Sequence, residues 1–127
     1  RVTEQHRKMH GVCLEAMASC ESALRPGNSI GEVFDAYART CDNSGMQKHR
    51  LNATGYSMGT TFSPNWMDWP MFYHGNQVLA EKNMVFFLHM ILMDSDSGNA
   101  MCFGQSYVVN DLGCECLSRH PLDLVVR

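Results

Sequence analysis

The sequence predicts an α+β fold in which two N-terminal helices pack on a mainly antiparallel sheet. Apolar residues recur twice with helical spacing before residue 45. Further along, the apolar run Met84–Met93 is separated by a polar turn from a second strand-like run, Ala100–Val109. Because alternating or continuous apolar runs of this length around a polar turn are typical of β-hairpins, we expect helices first and a sheet afterwards. Residues 1–127 form one domain on this interpretation.

The composition indicates a single globular domain and argues against several other classes of protein. The chain has 127 residues, 45% of them apolar, which is enough for the core of one domain. A net charge of −3 and the absence of a basic stripe exclude a nucleic-acid partner. Since no apolar run approaches the roughly 18 residues of a membrane span, we expect a cytoplasmic protein without a membrane partner. The six cysteines lack the spacing of common zinc sites, and the composition differs from that of a disulfide-stapled scaffold.

The first predicted helix covers His10–Leu24. Its apolar residues Cys13, Met17, Cys20 and Leu24 are spaced by four, three and four positions, which places them on one helical face. The segment Arg25–Gly27, with a proline and a glycine, ends the helix.

The second predicted helix begins at Ser29. Glu32 follows three residues later, and this pair has the pattern of a capping box. An apolar face then continues until Gly45, where a glycine is a natural helix end.

Strands follow. Gly55–Phe62 is predicted to be a strand that ends before Pro64, and Asn65–Gln77 a long aromatic loop. The near-continuous apolar character of Met84–Met93 indicates a strand buried on both faces. The segment Ala100–Val109 is its expected partner.

The register of this hairpin places the one histidine of the apolar strand. If Met93 pairs with Ala100, His89 lies opposite Gly104 and on the same face, while Gln105 points to the other face. A buried imidazole without a partner costs free energy, so His89 marks either a functional site or a histidine with a structural partner.

A family resemblance rests on several short segments in a fixed order. They are Leu24–Gly27, Glu32–Val33, Gly55–Gly59, Met84–Phe86 and Val108–Glu115. Together they resemble the C-terminal half of the pita-bread family, which includes methionine aminopeptidase, prolidase, aminopeptidase P and creatinase. The Gly-Tyr-Ser-Met-Gly element, followed by Phe62–Trp66, is most similar to the branch of ectoine hydrolase and Xaa-Pro peptidases. The resemblance covers roughly residues 10–118.

The resemblance implies the family fold, but this chain has other residues at the family's metal-ligand positions. Family peptidases hold two metal ions with two aspartates from the first half of the domain and a histidine and two glutamates from the second half. The family histidine falls on Tyr56, the first glutamate on His89, and the second on Gly104, with Gln105 as the alternative if the register shifts by one. A further family histidine falls on Ser63. We therefore expect no metal cofactor bound by this chain, although typical family members carry a dimetal site.

Six residues are candidates for the site. His89 is the candidate general acid or base, since the pKa of histidine near 6.5 allows both roles. Tyr56 could donate a hydrogen bond to an oxyanion or to a substrate carboxylate. A structural histidine and an aromatic side chain capping the sheet are the alternatives for these two positions. The candidates for substrate contact are Trp66, His74, Ser63 and Gln105.

The sequence is compatible with two functions. The resemblance implies a fragment of a creatinase- or prolidase-family hydrolase that acts on a small amide or dipeptide-like substrate in its full-length parent and is inert without its first half. The alternative is a non-catalytic binding module that has lost the metal site. In either case an apolar sheet face without its covering half predicts a homodimer or association with the missing half.

Overall fold

The two helices begin at capping residues that the local sequence provides. We describe residues 1–59 and 61–126 in a computed structural model. Helix α1 spans Glu4–Ala23 and starts six residues before the predicted His10. The hydroxyl of Thr3 accepts from the amide of His6, and the His6 side chain accepts from the amide of Thr3. The early start was missed because the first two turns are polar and histidine replaces the glutamate or glutamine of a standard capping box.

Helix α2 spans Ile30–Asn43, and its predicted capping box is confirmed. The amide of Glu32 donates to the Ser29 hydroxyl at 3.2 Å, and the Glu32 carboxylate accepts from the Ser29 amide at 2.7 Å. At the C-terminus Gly45 adopts a φ of 73°, the left-handed conformation that glycine adopts without steric cost.

The strands form one antiparallel sheet beside the helices. Their bounds are β1 Gly55–Ser57, β2 Asp68–Met71, β3 Val85–Asp94, β4 Asn99–Val109 and β5 Cys114–Cys116, and their order in the sheet is β2-β1-β3-β4-β5. Helix α1 packs on β3 and β4 as well as on α2. The predicted α+β class is confirmed. No helix in the described part of the chain is both long enough and apolar enough to cross a bilayer.

The predicted hairpin register is confirmed. Met93 pairs with Ala100, His89 pairs with Gly104, and Gln105 lies opposite Leu88. The pairing continues without interruption from Val85↔Val108 to Asp94↔Asn99. Since side chains of directly paired residues share one face, this register determines which residues of β4 lie beside His89.

Two strand predictions were wrong in extent. Strand β1 ends at Ser57, and Met58, Gly59, Thr61 and Phe62 of the predicted range are not in a strand, while Thr60 lies outside the described residues. The segment predicted to be only loop, Asn65–Gln77, contains β2, which pairs with β1 at the edge of the sheet. The sequence did not indicate this strand because it contains Pro70, and proline is unfavourable in the interior of a sheet. Proline is tolerated at a sheet edge, where its missing amide is not needed for pairing.

Burial of β3 differs from the predicted two-sided pattern. Phe86, Leu88, Met90 and Leu92 are completely buried against the helices, and we call their side of the sheet the helix face. The alternate residues Phe87, His89 and Ile91 are half-buried and form the opposite side, which we call the cavity face. The helices cover only one side, so the apolar residues of the other side stay partly open.

Tyr37 ties helix α2 to two segments beyond it. Its hydroxyl donates to the carbonyl of Ile91 at 3.0 Å and accepts from the amide of Leu51 at 3.2 Å. The side chain is 1% exposed. A single buried hydroxyl therefore satisfies two backbone groups that would otherwise lack partners.

Close contact between β1 and β3 requires glycine at position 55. A Cβ there would lie 2.2 Å from the carbonyl oxygen of Phe87, and the φ of Gly55 is 155°. We expect Gly55→Ala to lower the free energy of unfolding by more than about 3 kcal/mol, because backbone atoms of β3 must move away. Urea denaturation followed by far-UV circular dichroism measures this change.

Gly11 is the matched control for this substitution. It lies inside α1, and a Cβ built there meets nothing within 4 Å. Gly11→Ala is expected to raise the free energy of unfolding by about 0.5–1 kcal/mol, as helix propensity predicts. Equal effects of the two alanines would contradict the close approach of β1 to β3.

Candidate functional site

A cavity of about 360 Å³ opens on the cavity face of the sheet around His89. Strand β1 contributes Tyr56 to its wall, and β3 contributes Phe87 and Ile91 beside the histidine. The remaining wall consists of Leu51, Trp66, Met67, Cys102, Phe103 and Gly104. We call this space the His89 cavity. Its volume lies within the range of small-molecule sites.

His89 carries an unsatisfied polar atom. Its Nδ1 is buried and has no hydrogen-bond partner, and among the described residues it is the only buried side-chain nitrogen or oxygen in this condition. Burial lowers the pKa of the imidazole below its ordinary value of 6.5, since removal from water disfavours the charged form. The ring is therefore neutral at neutral pH, with one nitrogen able to donate and the other able to accept.

Tyr56 lies next to His89 on the neighbouring strand. Its ring centroid is 5.9 Å from that of His89 and 5.5 Å from that of Phe87, with tilted ring planes in both pairs. Burial raises the pKa of the Tyr56 phenol, so the hydroxyl keeps its proton at neutral pH. The site thus combines a neutral imidazole with a protonated phenol.

Gly104 faces His89 without a side chain, and an aromatic ring fills the space. A Cβ at position 104 would lie 2.4 Å from Cζ of Phe87 and 2.8 Å from the carbonyl oxygen of Leu88. A carboxylate side chain on β4 opposite His89 would require the Phe87 ring to move. Phe87 thus occupies the place next to Gly104 where the family resemblance puts a glutamate.

The residues present do not fit the two metal ions that the resemblance implies. Of Tyr56, His89 and Gly104, only the histidine is a common ligand for such ions. Within residues 1–59 and 61–126, no three side chains from histidine, cysteine, aspartate and glutamate lie close enough together to hold a metal ion. The walls around His89 are mostly aromatic and aliphatic.

The structure brings three of the six candidate residues together. His89, Tyr56 and Trp66 line the same cavity, and Trp66 is 70% exposed at its rim. Ser63 is exposed in the loop between β1 and β2 and does not line the cavity.

Two further candidates lie elsewhere. Gln105 belongs to the helix face, where its Oε1 accepts from the hydroxyl of Tyr107 at 2.9 Å. His74 is 82% exposed and its Nδ1 lies 2.8 Å from the Asp35 carboxylate, beside a separate cavity next to α2. Neither residue lines the His89 cavity, and contact of Gln105 or His74 with a substrate stays a prediction.

Sequence reasoning missed several cavity residues. Phe87 and Ile91 were assigned only to the apolar strand, and Cys102 received no role. The register held the signal: Ile91 pairs with Cys102, so both lie on the same face as the pair formed by His89 and Gly104. Leu51 could not be found in this way, because a loop positions it.

Comparison with known proteins agrees with this architecture. The sequence model of metallopeptidase family M24 matches residues 1–111. The uncharacterized hydrolase/peptidase y4tL of Sinorhizobium fredii is 26% identical over 127 residues, which are 98% of this chain and 30% of the relative. Ectoine hydrolase of Halomonas elongata is 24% identical over 115 residues, which are 90% of this chain and 28% of the relative.

Solved structures give the same fold. The Xaa-Pro dipeptidase of Bacillus anthracis superposes with a TM-score of 0.89 at 14% identity, over 98% of this chain and 34% of that protein. At this identity the likeness shows the fold alone. The chain spans about a third of the length of the relatives it matches. From the family match over residues 1–111 and the shared helix-on-sheet architecture, we conclude that the chain belongs to metallopeptidase family M24.

Proposed function

We propose that this chain is the C-terminal half of the catalytic domain of a hydrolase that cleaves a carbon–nitrogen bond in a small amide or dipeptide-like substrate. The observation that carries the proposal is the buried, unpaired Nδ1 of His89 beside Tyr56 in an apolar cavity. An unsatisfied buried polar atom costs about 1–3 kcal/mol, and such atoms are rare in folded proteins. Rotation of the imidazole ring would turn this nitrogen towards the cavity, where a substrate or the first half of the domain would supply the missing partner.

His89 acts in proton transfer on this proposal. Because burial keeps the imidazole neutral, one ring nitrogen can accept a proton from a water molecule that attacks the amide carbonyl. The same proton can then pass to the leaving nitrogen, which must be protonated before it departs. General acid–base help of this kind is worth about 10²–10⁴ in rate.

Tyr56 stabilises the charge that develops on the substrate. The carbonyl oxygen becomes an oxyanion when water adds, and a phenol that keeps its proton can donate a hydrogen bond to it. The ring of Tyr56 also contacts the aromatic wall, which fixes its direction. Trp66 at the rim would contact the rest of the substrate.

The opposite wall of the site would come from the first half of the domain. The cavity face is half-buried in this chain, so docking of the first half would cover it and exclude water from His89. The isolated chain would lack that wall and be catalytically inert. Its open face would favour association with the first half or with a second copy.

A binding module is the second candidate function. The contact of Phe87 with Gly104 favours it, because an aromatic ring stands where the family places a metal-binding glutamate. The two functions differ in the surface that faces His89 from the first half. Acidic residues there favour the enzyme, and apolar residues favour the module.

We expect the purified 127-residue chain to show no hydrolysis of Xaa-Pro dipeptides or small neutral amides above the level of its His89→Ala variant. Turnover that disappears in His89→Ala would overturn the need for the first half. In the longer parent polypeptide, His89→Ala should lower kcat at least about 100-fold. Tyr56→Phe removes one hydrogen-bond donor to the oxyanion and should lower kcat about 10²–10³-fold.

Tyr73→Phe is the matched control, because Tyr73 lines the separate cavity next to α2. It should leave kcat unchanged. Full activity of the parent in His89→Ala would contradict the proposed role of the imidazole.

His89 also predicts a pH dependence of stability. Burial lowers its pKa in the folded state, so the unfolded chain binds the proton more tightly. The free energy of unfolding should therefore decrease as pH falls through the unfolded pKa near 6.5, and the loss should level off below the lowered folded pKa. His89→Asn should flatten this part of the profile in urea titrations between pH 8 and pH 5.

The exposed His120 supplies the control variant, His120→Asn, because its imidazole lies outside the cavity. This variant should keep the dependence of the wild-type chain. An unchanged profile in His89→Asn would show that the imidazole is not held neutral by burial.

A further inference from the structure

The chemistry of the cavity wall restricts what the His89 cavity can hold. None of its lining residues is an aspartate, glutamate, lysine or arginine. The polar side-chain groups it offers are the imidazole of His89, the phenol of Tyr56, the thiol of Cys102 and, at the rim, the indole N–H of Trp66. A charged ligand that contacts this wall loses its hydration and meets no side chain of opposite charge.

The shape of the wall favours an apolar group. Phe87 and Tyr56 stand side by side with ring centroids 5.5 Å apart. Ile91 extends the surface along β3, and Trp66 projects at the rim with 70% of its surface exposed. Aromatic and aliphatic walls bind apolar groups through area removed from water.

The two polar groups at the centre suit an amide. The Tyr56 hydroxyl can donate to an amide carbonyl, and the neutral imidazole of His89 can accept from an amide N–H or donate to a carbonyl. Neither group carries a charge that would neutralise a carboxylate. A carboxylate in this cavity would be desolvated without a cation, which costs several kcal/mol in an apolar environment.

We infer that the His89 cavity selects an uncharged amide with an apolar side group and discriminates against ligands whose contacting part carries a free carboxylate. This inference rests on the proposed function, which places the substrate in the cavity, and it names the substrate class. A blocked or neutral amide fits the cavity, whereas the free C-terminal carboxylate of a dipeptide must lie outside it.

Cys102 provides a reporter inside the cavity. It is exposed and lines the wall, while Cys116 is exposed on β5 outside the cavity. Of the other thiols, Cys13, Cys20 and Cys41 are buried, and partial burial raises the pKa of Cys114 to about 11. Alkylation should therefore be confined mainly to Cys102 and Cys116, and the second serves as an internal reference.

The experiment compares two ligands that differ in charge, phenylacetamide and phenylacetate. The 127-residue chain is alkylated with iodoacetamide at pH 8, and the rates at Cys102 and Cys116 are measured by peptide mass spectrometry over a series of ligand concentrations. We expect phenylacetamide to slow alkylation of Cys102 about twofold at its half-saturating concentration, with Cys116 unaffected. Phenylacetate should require a concentration at least about tenfold higher for the same protection.

Two tryptophan variants locate the effect. Trp66→Ala should weaken protection by phenylacetamide, because Trp66 lines the cavity. Trp69→Ala is the matched control, since Trp69 is similarly exposed at 63% but lines a different depression. Both tryptophans lie on the surface, so neither substitution removes core packing.

Several results would overturn the inference. They are equal or better protection by phenylacetate, no protection of Cys102 by phenylacetamide, equal protection of Cys102 and Cys116, and an effect of Trp69→Ala as large as that of Trp66→Ala. The assay is independent of turnover. Protection of Cys102 without hydrolysis by the longer parent would support this inference and contradict the catalytic proposal. Hydrolysis of a ligand whose carboxylate is bound beside His89 would contradict this inference and support the catalytic proposal.

Discussion

The uninterrupted pairing of β3 with β4 determines both the core and the site. It places Phe86, Leu88, Met90 and Leu92 under the helices, and it places His89 opposite Gly104 on the other side. A shift of one residue would exchange the two faces. Gln105 would then lie beside the histidine, and the apolar residues that now fill the core would face outward. The buried area on the helix face therefore holds the site in register.

The apolar chemistry of the cavity follows from the missing side chain at Gly104 and the aromatic ring of Phe87 beside it. Gly104 supplies no side chain, and the ring of Phe87 occupies the resulting space. An aromatic wall cannot satisfy the Nδ1 of His89, so the imidazole remains neutral and unpaired. Family membership and site chemistry thus separate in this chain: the fold is that of family M24, while the side chains around His89 do not fit a dimetal centre.

The sequence predicted the helices because they depend on local periodicity and, for α2, on the Ser29 cap. It predicted the hairpin register because two apolar runs flank a short polar turn. It failed where an element depends on its neighbours. Strand β2 exists because β1 offers an edge for pairing, and the first turns of α1 exist because Thr3 and His6 cap each other. The cavity was predictable in part, because the register groups His89 with Gly104. The position of the Phe87 ring next to that glycine results from tertiary packing, and no local sequence pattern indicates it.

The hydroxyl of Tyr37 bonds to the carbonyl of Ile91 and the amide of Leu51, and both of these residues line the His89 cavity. Helix α2 and the cavity wall are consequently joined by one side chain that crosses the core. A displacement of α2 would therefore have to distort hydrogen bonds to two residues of the wall. The positions of Ile91 and Leu51 in the wall thus depend on the helix layer as well as on the sheet.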